Sequence, residues 1–192
     1  MSLLDDNFNE LRTLVKQGRE LNFTSFEPVY YLVFDPSQIL EVKRKLRSWI
    51  ATLSRKDDFK VTEFSLAKEI HKIIDNHKWK NLWFKHEEKK GFDNSIYAKT
   101  IKEALTSKNG ILEEFEKKLT KLSEVKNGLL LVSDVESLHP FMRVGQIEAH
   151  LQGKFDTPTV FLYPGKRTGK TGLKFLGFYP DDGNYRSVHI GG

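Results

Sequence analysis

Residues 29–34, Val-Tyr-Tyr-Leu-Val-Phe, form an unbroken apolar run that decides how the rest of the chain is interpreted. The run has the length of a strand and is rich in β-branched and aromatic residues. A strand with one face in water would alternate apolar and polar residues. An apolar run of this kind suits a strand covered on both faces, as in a parallel sheet. The sequence therefore predicts a central strand of an α/β fold.

The segments that follow this strand alternate between helix and strand patterns. Further strand patterns lie at 59–64, 129–133, 159–163 and 173–178, and helical spacing of apolar residues separates all but the last two. This order predicts a single α/β domain, with a mostly parallel sheet of about five strands flanked by helices. Only nine residues, 164–172, join the last two strands, so the chain should end its sheet with an antiparallel edge hairpin.

Composition places the chain among globular proteins and excludes several classes of site. Its 192 residues are 39% hydrophobic and 12% aromatic, which suits one domain with a sizeable core. The absence of cysteine excludes a disulfide framework, a thiolate zinc site and a cysteine nucleophile. No apolar run approaches the roughly 20 residues of a membrane helix, and no signal-peptide pattern opens the chain. We therefore expect a soluble, cytoplasmic protein, and its net charge of +5 is compatible with nucleic acid without requiring it.

The last sixteen residues, 177–192, are dense in side chains that make specific contacts. Tyr185, Arg186 and His189 are candidates for binding a partner, and the glycines among them allow the backbone to turn. Free chain ends are usually frayed and poor in such groups. Two interpretations remain open: the tail contacts a partner, or it closes the fold with Tyr185 and Ile190 as core residues.

A glycine-rich loop at 165–171 resembles a phosphate-binding loop but does not fit the motif. It has three residues rather than four between its first glycine and Gly-Lys-Thr, and it joins two strands instead of a strand and a helix. We interpret it as a basic hairpin tip that could contact a phosphate backbone. Its cations are Lys166, Arg167, Lys170 and Lys174. The alternative is a solvated turn that protects a sheet edge.

Carboxylates gather where the predicted strands end, which is where open parallel sheets bind ligands. The candidates for an oxygen-rich Mg²⁺ or Mn²⁺ site are Asp35, Asp134, Glu136 and His139. Such a site would support metal-assisted hydrolysis, as in a nuclease or phosphohydrolase. The alternative is structural: Asp35 would cap a helix, and 134–140 would be a loop that leads into one. No ordered nuclease signature accompanies these residues, so no catalytic residue and no cofactor is assigned.

Two further segments are candidate binding sites. Phe141 and Arg143 suit a protein interface, where aromatic and arginine anchors dominate the binding energy. Arg143 could instead form an internal salt bridge with Asp134 or Glu136. Residues 79–90 interleave aromatic and basic side chains, as single-strand binding platforms do. The preferred interpretation of this segment is a helix that buries Trp79, Leu82 and Trp83.

Four segments resemble the BrxB family, whose members are small proteins of the bacterial BREX anti-phage systems. They are 34–46, 133–145, 158–172 and 177–192, and the most specific are Leu162-Tyr-Pro-Gly-Lys-Arg167 and the tail. The resemblance begins near residue 28. Residues 1–27 would then be an N-terminal helical extension of a single BrxB-like domain, 1–192.

The resemblance implies phage defence in the cytoplasm of a bacterium or archaeon. It implies assembly with PglZ, a protein with an alkaline-phosphatase-like domain, and then with a DNA methyltransferase and a large ATPase. It brings no catalytic residue. We therefore expect a non-catalytic adaptor of a BREX complex. Direct DNA binding through the basic hairpin and a metal-dependent hydrolase are the alternatives.

Overall fold

The structure, a computed structural model, describes residues 2–21, 27–90, 96–169, 172–181 and 187–192. Within these ranges the strands are β1 (Val29–Phe34), β2 (Lys60–Ser65), β3 (Gly128–Ser133), β4 (Thr159–Thr168), β5 (Gly172–Phe175) and β6 (Val188–Gly191). The helices are α1 (Leu3–Leu21), α2 (Ile39–Lys56), α3 (Leu66–Asn76), α4 (Lys80–Lys90), α5 (Ile96–Thr106), α6 (Ile111–Ser123) and α7 (Val144–Leu151). Each of these helices is too short or too polar to span a lipid bilayer.

Five of the strands form a parallel sheet in the order β2-β3-β4-β1-β6. The predicted α/β class, with a mostly parallel sheet and an antiparallel hairpin near the C-terminus, is confirmed. Strand β4 pairs with β1 through Pro164 and then with the antiparallel β5 from Gly165 onward. Because β1 ends opposite Pro164, the β4–β5 hairpin extends past the carboxyl edge of the sheet.

The side chains of β1 alternate between two hydrophobic cores. Leu32 belongs to the core beneath α1 and α2, whereas Tyr31 belongs to the core beneath α3, α5, α6 and α7. All six residues of β1 are buried, which confirms that this strand is covered on both faces. Burial of such side chains contributes about 1.5–3 kcal/mol each. The sheet is therefore a rigid support for the loops at its carboxyl edge.

Short polar side chains cap the first turns of α1 and α3. The Ser2 hydroxyl accepts the Asp5 backbone N–H, and the Ser65 hydroxyl accepts the N–H of Lys68. Asp35 is a helix cap, as the structural alternative predicts, and it caps a 3-10 turn, Pro36–Gln38, that leads into α2. Proline after Asp35 favours this tight first turn.

The tail contributes a strand that the sequence patterns do not predict. Strand β6 runs parallel to β1, and Ile190 is only 1% exposed in the core beneath α1 and α2. The interpretation that Ile190 is a core residue is confirmed, while Tyr185 lies outside the described residues. Only four residues form β6, and they are held by the fully buried β1 rather than by an apolar run of their own.

The expected burial of Trp79 and Leu82 is wrong. Of the three residues predicted to face the core from this segment, only Trp83 is buried. Trp83 joins α4 to α5, and its indole N–H donates to Thr100 Oγ1 over 3.1 Å. One large side chain is sufficient for that contact, so its neighbours stay in solvent.

Candidate functional site

Two groups of side chains meet at the loops that follow the strands. The first is the Lys43 cluster, which consists of Lys43, Ser65, Asp134 and Glu136. The second is the Tyr179 cluster, which consists of His139, Arg143, Phe178 and Tyr179. The predicted metal candidates are divided between them, and Asp35 belongs to neither.

Lys43 lies between the two carboxylates of the first cluster. Its Nζ is 2.9 Å from Asp134 Oδ1 and 2.7 Å from Glu136 Oε1. The Ser65 hydroxyl donates to Asp134 Oδ2 at 2.5 Å. Among the described residues, the cation that binds both carboxylates is Lys43. The two carboxylates therefore pair with Lys43 and not with Arg143, the internal partner that the sequence suggested.

The chain after β3 turns sharply to place these carboxylates. Asp134 has φ 57° and ψ 38°, the left-handed conformation that aspartate tolerates better than most residues. A 3-10 turn, Val135–Leu138, follows, and its two terminal side chains are buried. The Ser137 hydroxyl donates to the Asp134 carbonyl at 2.6 Å and holds the turn closed. Glu136 is thereby brought to the same lysine as Asp134.

The two ionised partners stabilise each other's charge. Burial by itself raises the pKa of Asp134, but the bonds from Ser65 and Lys43 outweigh it and lower that pKa below its usual range. Burial by itself lowers the pKa of Lys43, but its bonds to Glu136 and Asp134 outweigh it and raise that pKa. The Lys43–Asp134 ion pair therefore stays charged at neutral pH.

The described side chains do not assemble a metal site. Asp35 accepts the backbone N–H and the hydroxyl of Ser37, and His139 contacts Tyr179. Among the described residues, no three His, Cys, Asp or Glu side chains are grouped so that they could hold a metal ion. The cavity beside Lys43 has a volume of only about 10 Å³, room for roughly one water molecule.

The Tyr179 cluster presents aromatic rings and a guanidinium at the surface. Phe178 is 64% exposed and stacks on Tyr179, with ring centroids 4.8 Å apart. The Arg143 guanidinium carbon lies 5.2 Å from the centroid of the Tyr179 ring, within range of a cation–π contact. His139 Nδ1 is hydrogen-bonded to the Tyr179 hydroxyl, and its ring meets Phe178 edge to face. The exposed ring is thus held from several sides.

Two backbone features bring this cluster together. Arg143 is the N-cap of α7, where its backbone N–H donates to Gln146 Oε1 at 3.1 Å. After β5, Leu176 and Gly177 both have positive φ, and this turn carries the chain back so that Tyr179 stacks on Phe175. Phe141 is half-buried and packs against the core beneath the cluster. Arg143 is likewise half-buried; it contacts the Tyr179 ring, whereas Phe141 packs against the core.

Of the three tail candidates, His189 is the one that lies within the described residues. His189 is half-buried, with its ring edge to face with Tyr31 and its Nε2 3.1 Å from the Ser187 hydroxyl. Burial, with a smaller effect of the Arg167 charge, lowers the pKa of His189 to about 4. Its imidazole is therefore neutral at pH 7. Residues 185–186, the other two tail candidates, lie outside the described residues.

Three of the four predicted cations of the basic hairpin lie within the described residues. Lys166 and Arg167 are exposed, and Lys174 is half-buried directly across the strand pair from Lys166. Arg167 Nη1 lies 3.5 Å from the Gly191 carbonyl oxygen, so the hairpin also touches the tail strand. Lys170 lies outside the described residues.

Sequence reasoning missed four residues of these clusters, namely Lys43, Ser65, Phe178 and Tyr179. Lys43 carries no motif, and only its place on the sheet-facing flank of α2, next to the buried Val42, hints at an inward role. Phe178 and Tyr179 follow a strand as an aromatic pair before a proline, which is a signal of a structured turn. Their convergence with Arg143 depends on tertiary structure.

Comparison with known families identifies one match. The family model described as BREX protein BrxB matches residues 62–190. The matched region runs from β2 into β6, so it includes the whole Tyr179 cluster and all of the Lys43 cluster except Lys43 itself. No curated protein and no solved structure matches the chain.

Proposed function

The chain belongs to the BrxB family of BREX proteins, and from this premise we propose that it is a non-catalytic assembly component of a BREX anti-phage complex. Its first partner is a PglZ-type protein with an alkaline-phosphatase-like domain. The methyltransferase and the large ATPase of the same system join that complex. The protein acts in the cytoplasm, where these components meet phage DNA.

The Tyr179 cluster is the observation that carries this proposal. Aromatic and arginine side chains supply most of the binding energy at protein interfaces. Phe178 is mostly in solvent, although Tyr179 and His139 hold its ring in one place. A side chain that is fixed before binding loses little conformational entropy on binding, so it is an efficient anchor. The cluster thus suits docking of a partner.

The Lys43 cluster supports the non-catalytic part of the proposal. Asp134 and Glu136 occupy the sheet edge where a hydrolase would hold its metal. Both are instead bound to Lys43. A permanent ammonium at this position repels a divalent cation and leaves the carboxylates with a structural role.

The test is co-expression with the PglZ-type protein encoded in the same operon, followed by co-purification and light scattering. We expect a stoichiometric complex with the unaltered chain. Phe178→Ala or Arg143→Ala should each weaken it about 30-fold, the effect of losing a 2 kcal/mol anchor. Arg143→Lys should also weaken it, because an ammonium lacks the planar face that lies over Tyr179.

A matched control is Leu40→Ala, which removes an equally exposed apolar side chain from α2, against the opposite face of the sheet. Its complex should remain intact. A complex that also survives the double variant Phe178→Ala with Arg143→Ala would show that the surface is misassigned. Failure of the unaltered chain to bind any BREX component would remove the adaptor role itself.

A second candidate function is direct DNA binding through the basic hairpin. It is favoured by one observation, which is that the β4–β5 hairpin extends past the sheet edge with Lys166 and Arg167 exposed. Duplex affinity should then fall steeply with salt and should drop further in Lys166→Glu. Absence of duplex binding at low salt would dismiss this candidate.

A further inference from the structure

Helix α4 and the residue that precedes it carry large apolar side chains that are exposed on the fold. Trp79 is 41% exposed, Leu82 57% and Phe84 49%. The helix is held instead by Trp83, which is buried, bonded to Thr100 and stacked on His77 with ring centroids 4.6 Å apart. Three exposed large side chains within six residues exceed the scatter of single apolar residues on ordinary surfaces.

Each exposed ring of this segment has a lysine at its face. Lys78 Nζ lies 5.4 Å from the Trp79 ring, and Lys80 Nζ lies 6.0 Å from the Phe84 ring. The His77 ring meets the edge of Trp79 at 5.5 Å and supports it from the other side. We name this set the α4 platform, and its members are His77, Lys78, Trp79, Lys80 and Phe84.

The charge around the platform is predominantly positive. Residues 77–90 contain five lysines and two glutamates. Lys85 is exposed on α4, and Lys80 is bound at 2.6 Å to one carboxylate, that of Asp75. An anionic ligand would therefore be attracted to this helix, and the exposed rings would contact its apolar parts.

We propose that the α4 platform binds single-stranded nucleic acid, with bases stacked on its two exposed rings and phosphates held by the neighbouring lysines. Flat ring faces with adjacent cations match the alternation of bases and phosphates along a single strand. A duplex keeps its bases stacked on one another, so it cannot use these rings. An acidic peptide would satisfy the lysines but offers no flat faces to Trp79. This surface is separate from the Tyr179 cluster and does not depend on partner binding.

Trp79 and Phe84 are five residues apart, which corresponds to about 7.5 Å along a helix axis and to a rotation of about 140° around it. The two rings therefore project from different sides of the helix, and each is expected to stack with a base independently of the other. The lysine next to each ring leaves the ring face when a phosphate offers a stronger, charge-assisted contact.

Tryptophan fluorescence gives a direct test. Of the three tryptophans, Trp49 and Trp83 are buried, so a base that stacks on Trp79 should quench the exposed component of the emission. The probe is a short oligothymidylate titrated into the full chain at low salt, with fluorescence anisotropy of a labelled copy as a second readout. We expect quenching and saturable binding, both weakened as salt rises.

Substitutions separate stacking from charge. Trp79→Ala or Phe84→Ala should weaken binding about 5- to 150-fold, the effect of one stacked base, whereas Trp79→Phe should retain most of the affinity. Lys78→Glu should weaken binding and reduce its salt dependence. The matched controls are Leu40→Ala and Lys16→Glu, which make the same kinds of change on exposed positions of α2 and α1 and should bind like the unaltered chain.

Several outcomes would overturn the proposal. The first is that oligothymidylate does not bind at low salt. The second is that both alanine variants bind it with unchanged affinity. The third is that Lys166→Glu loses affinity whereas Trp79→Ala does not. Equal binding of a duplex or of polyglutamate would also overturn it, since neither offers free bases. All substituted positions are exposed, so circular dichroism and thermal unfolding should match the unaltered chain and exclude misfolding as the cause.

Discussion

Lys43 of α2 and Asp134 at the end of β3 are joined by an ion pair, with 2.9 Å between Nζ and Oδ1. This pair lies at the carboxyl edge of the parallel sheet, where open α/β folds usually place their ligands. The protein thus fills that position with its own cation. The Tyr179 cluster and the α4 platform, which both expose aromatic side chains, are made of other residues.

Replacement of Lys43 by methionine should destabilise the fold. Asp134 and Glu136 would remain close together without their cation, and the pKa of Asp134 would rise from its lowered value, although the bond from Ser65 remains. We expect the free energy of unfolding to fall by about 1–2 kcal/mol. This loss lies between those of exposed and buried ion pairs, because Lys43 is partly in solvent. Urea unfolding at neutral pH measures this loss.

The control for this variant is Lys56→Met, which removes an exposed lysine from the end of the same helix. It should change the unfolding free energy by less than about 0.5 kcal/mol. An equal loss in both variants would mean that the ion pair does not stabilise the carboxyl edge.

A second ion pair fixes α1 to the end of α2. Arg12 Nε and Nη2 donate to the two oxygens of Asp57 at 2.7 and 3.0 Å, and Asp57 is almost fully buried. Arg12→Met should cost about 3 kcal/mol, because it removes the two hydrogen bonds that the guanidinium donates to a buried carboxylate. Chemical denaturation gives the value, and Arg47→Met, at an exposed position of α2, should have little effect.

A double variant distinguishes a lost charge from lost packing. Asp57→Asn combined with Arg12→Met removes the charge of the carboxylate but keeps the shape of the side chain. It should recover part of the stability lost in the single variant. A double variant as unstable as Arg12→Met alone would assign the loss to packing of the arginine side chain.

The sheet could be predicted from the sequence because its strongest signals are local. Residues 29–34 are buried on both faces, and burial of that kind leaves a continuous apolar run. Strand β6 leaves no such run. It has four residues, and its place depends on hydrogen bonds to β1, which lies more than 150 positions earlier in the chain.

The candidate site could be predicted only in part. Parallel strands do bring Asp134 and Glu136 to one edge, as expected. The partner they bind comes from a helix about 90 residues away, and no spacing rule identifies Lys43. Likewise, the pattern at 79–90 indicates a helix but does not show that Trp83 is the side chain that contacts α5.

The half-buried His189 should make stability depend on pH. Its pKa in the folded protein is about 4, below the unfolded value of about 6.5. Between these values the unfolded chain takes up a proton at this site and the folded chain does not. The contribution of His189 to stability is therefore complete above pH 6.5 and declines as pH falls to about 4.

His189→Gln removes this titration while keeping a side chain that forms hydrogen bonds. The difference in unfolding free energy between the unaltered chain and the variant should shrink or change sign as pH is lowered from 6.5 to 4. Urea unfolding at several pH values measures it. A difference that stays constant across this window would show that the histidine is protonated as easily in the folded state as in the unfolded one.

The tail strand β6 is expected to be a structural part of the sheet. Ile190 lies in the core beneath α1 and α2, so Ile190→Ala should lower the free energy of unfolding by about 2–4 kcal/mol through lost burial and a residual cavity. Val188→Ala, in the same strand but 43% exposed, should cost much less, and thermal or urea unfolding compares the two directly. Similar small effects in both variants would mean that β6 is only loosely held against β1. In that event the tail would be available to a partner as a displaceable strand. Weaker partner binding by tail variants could then be assigned to a lost interface contact rather than to a damaged fold.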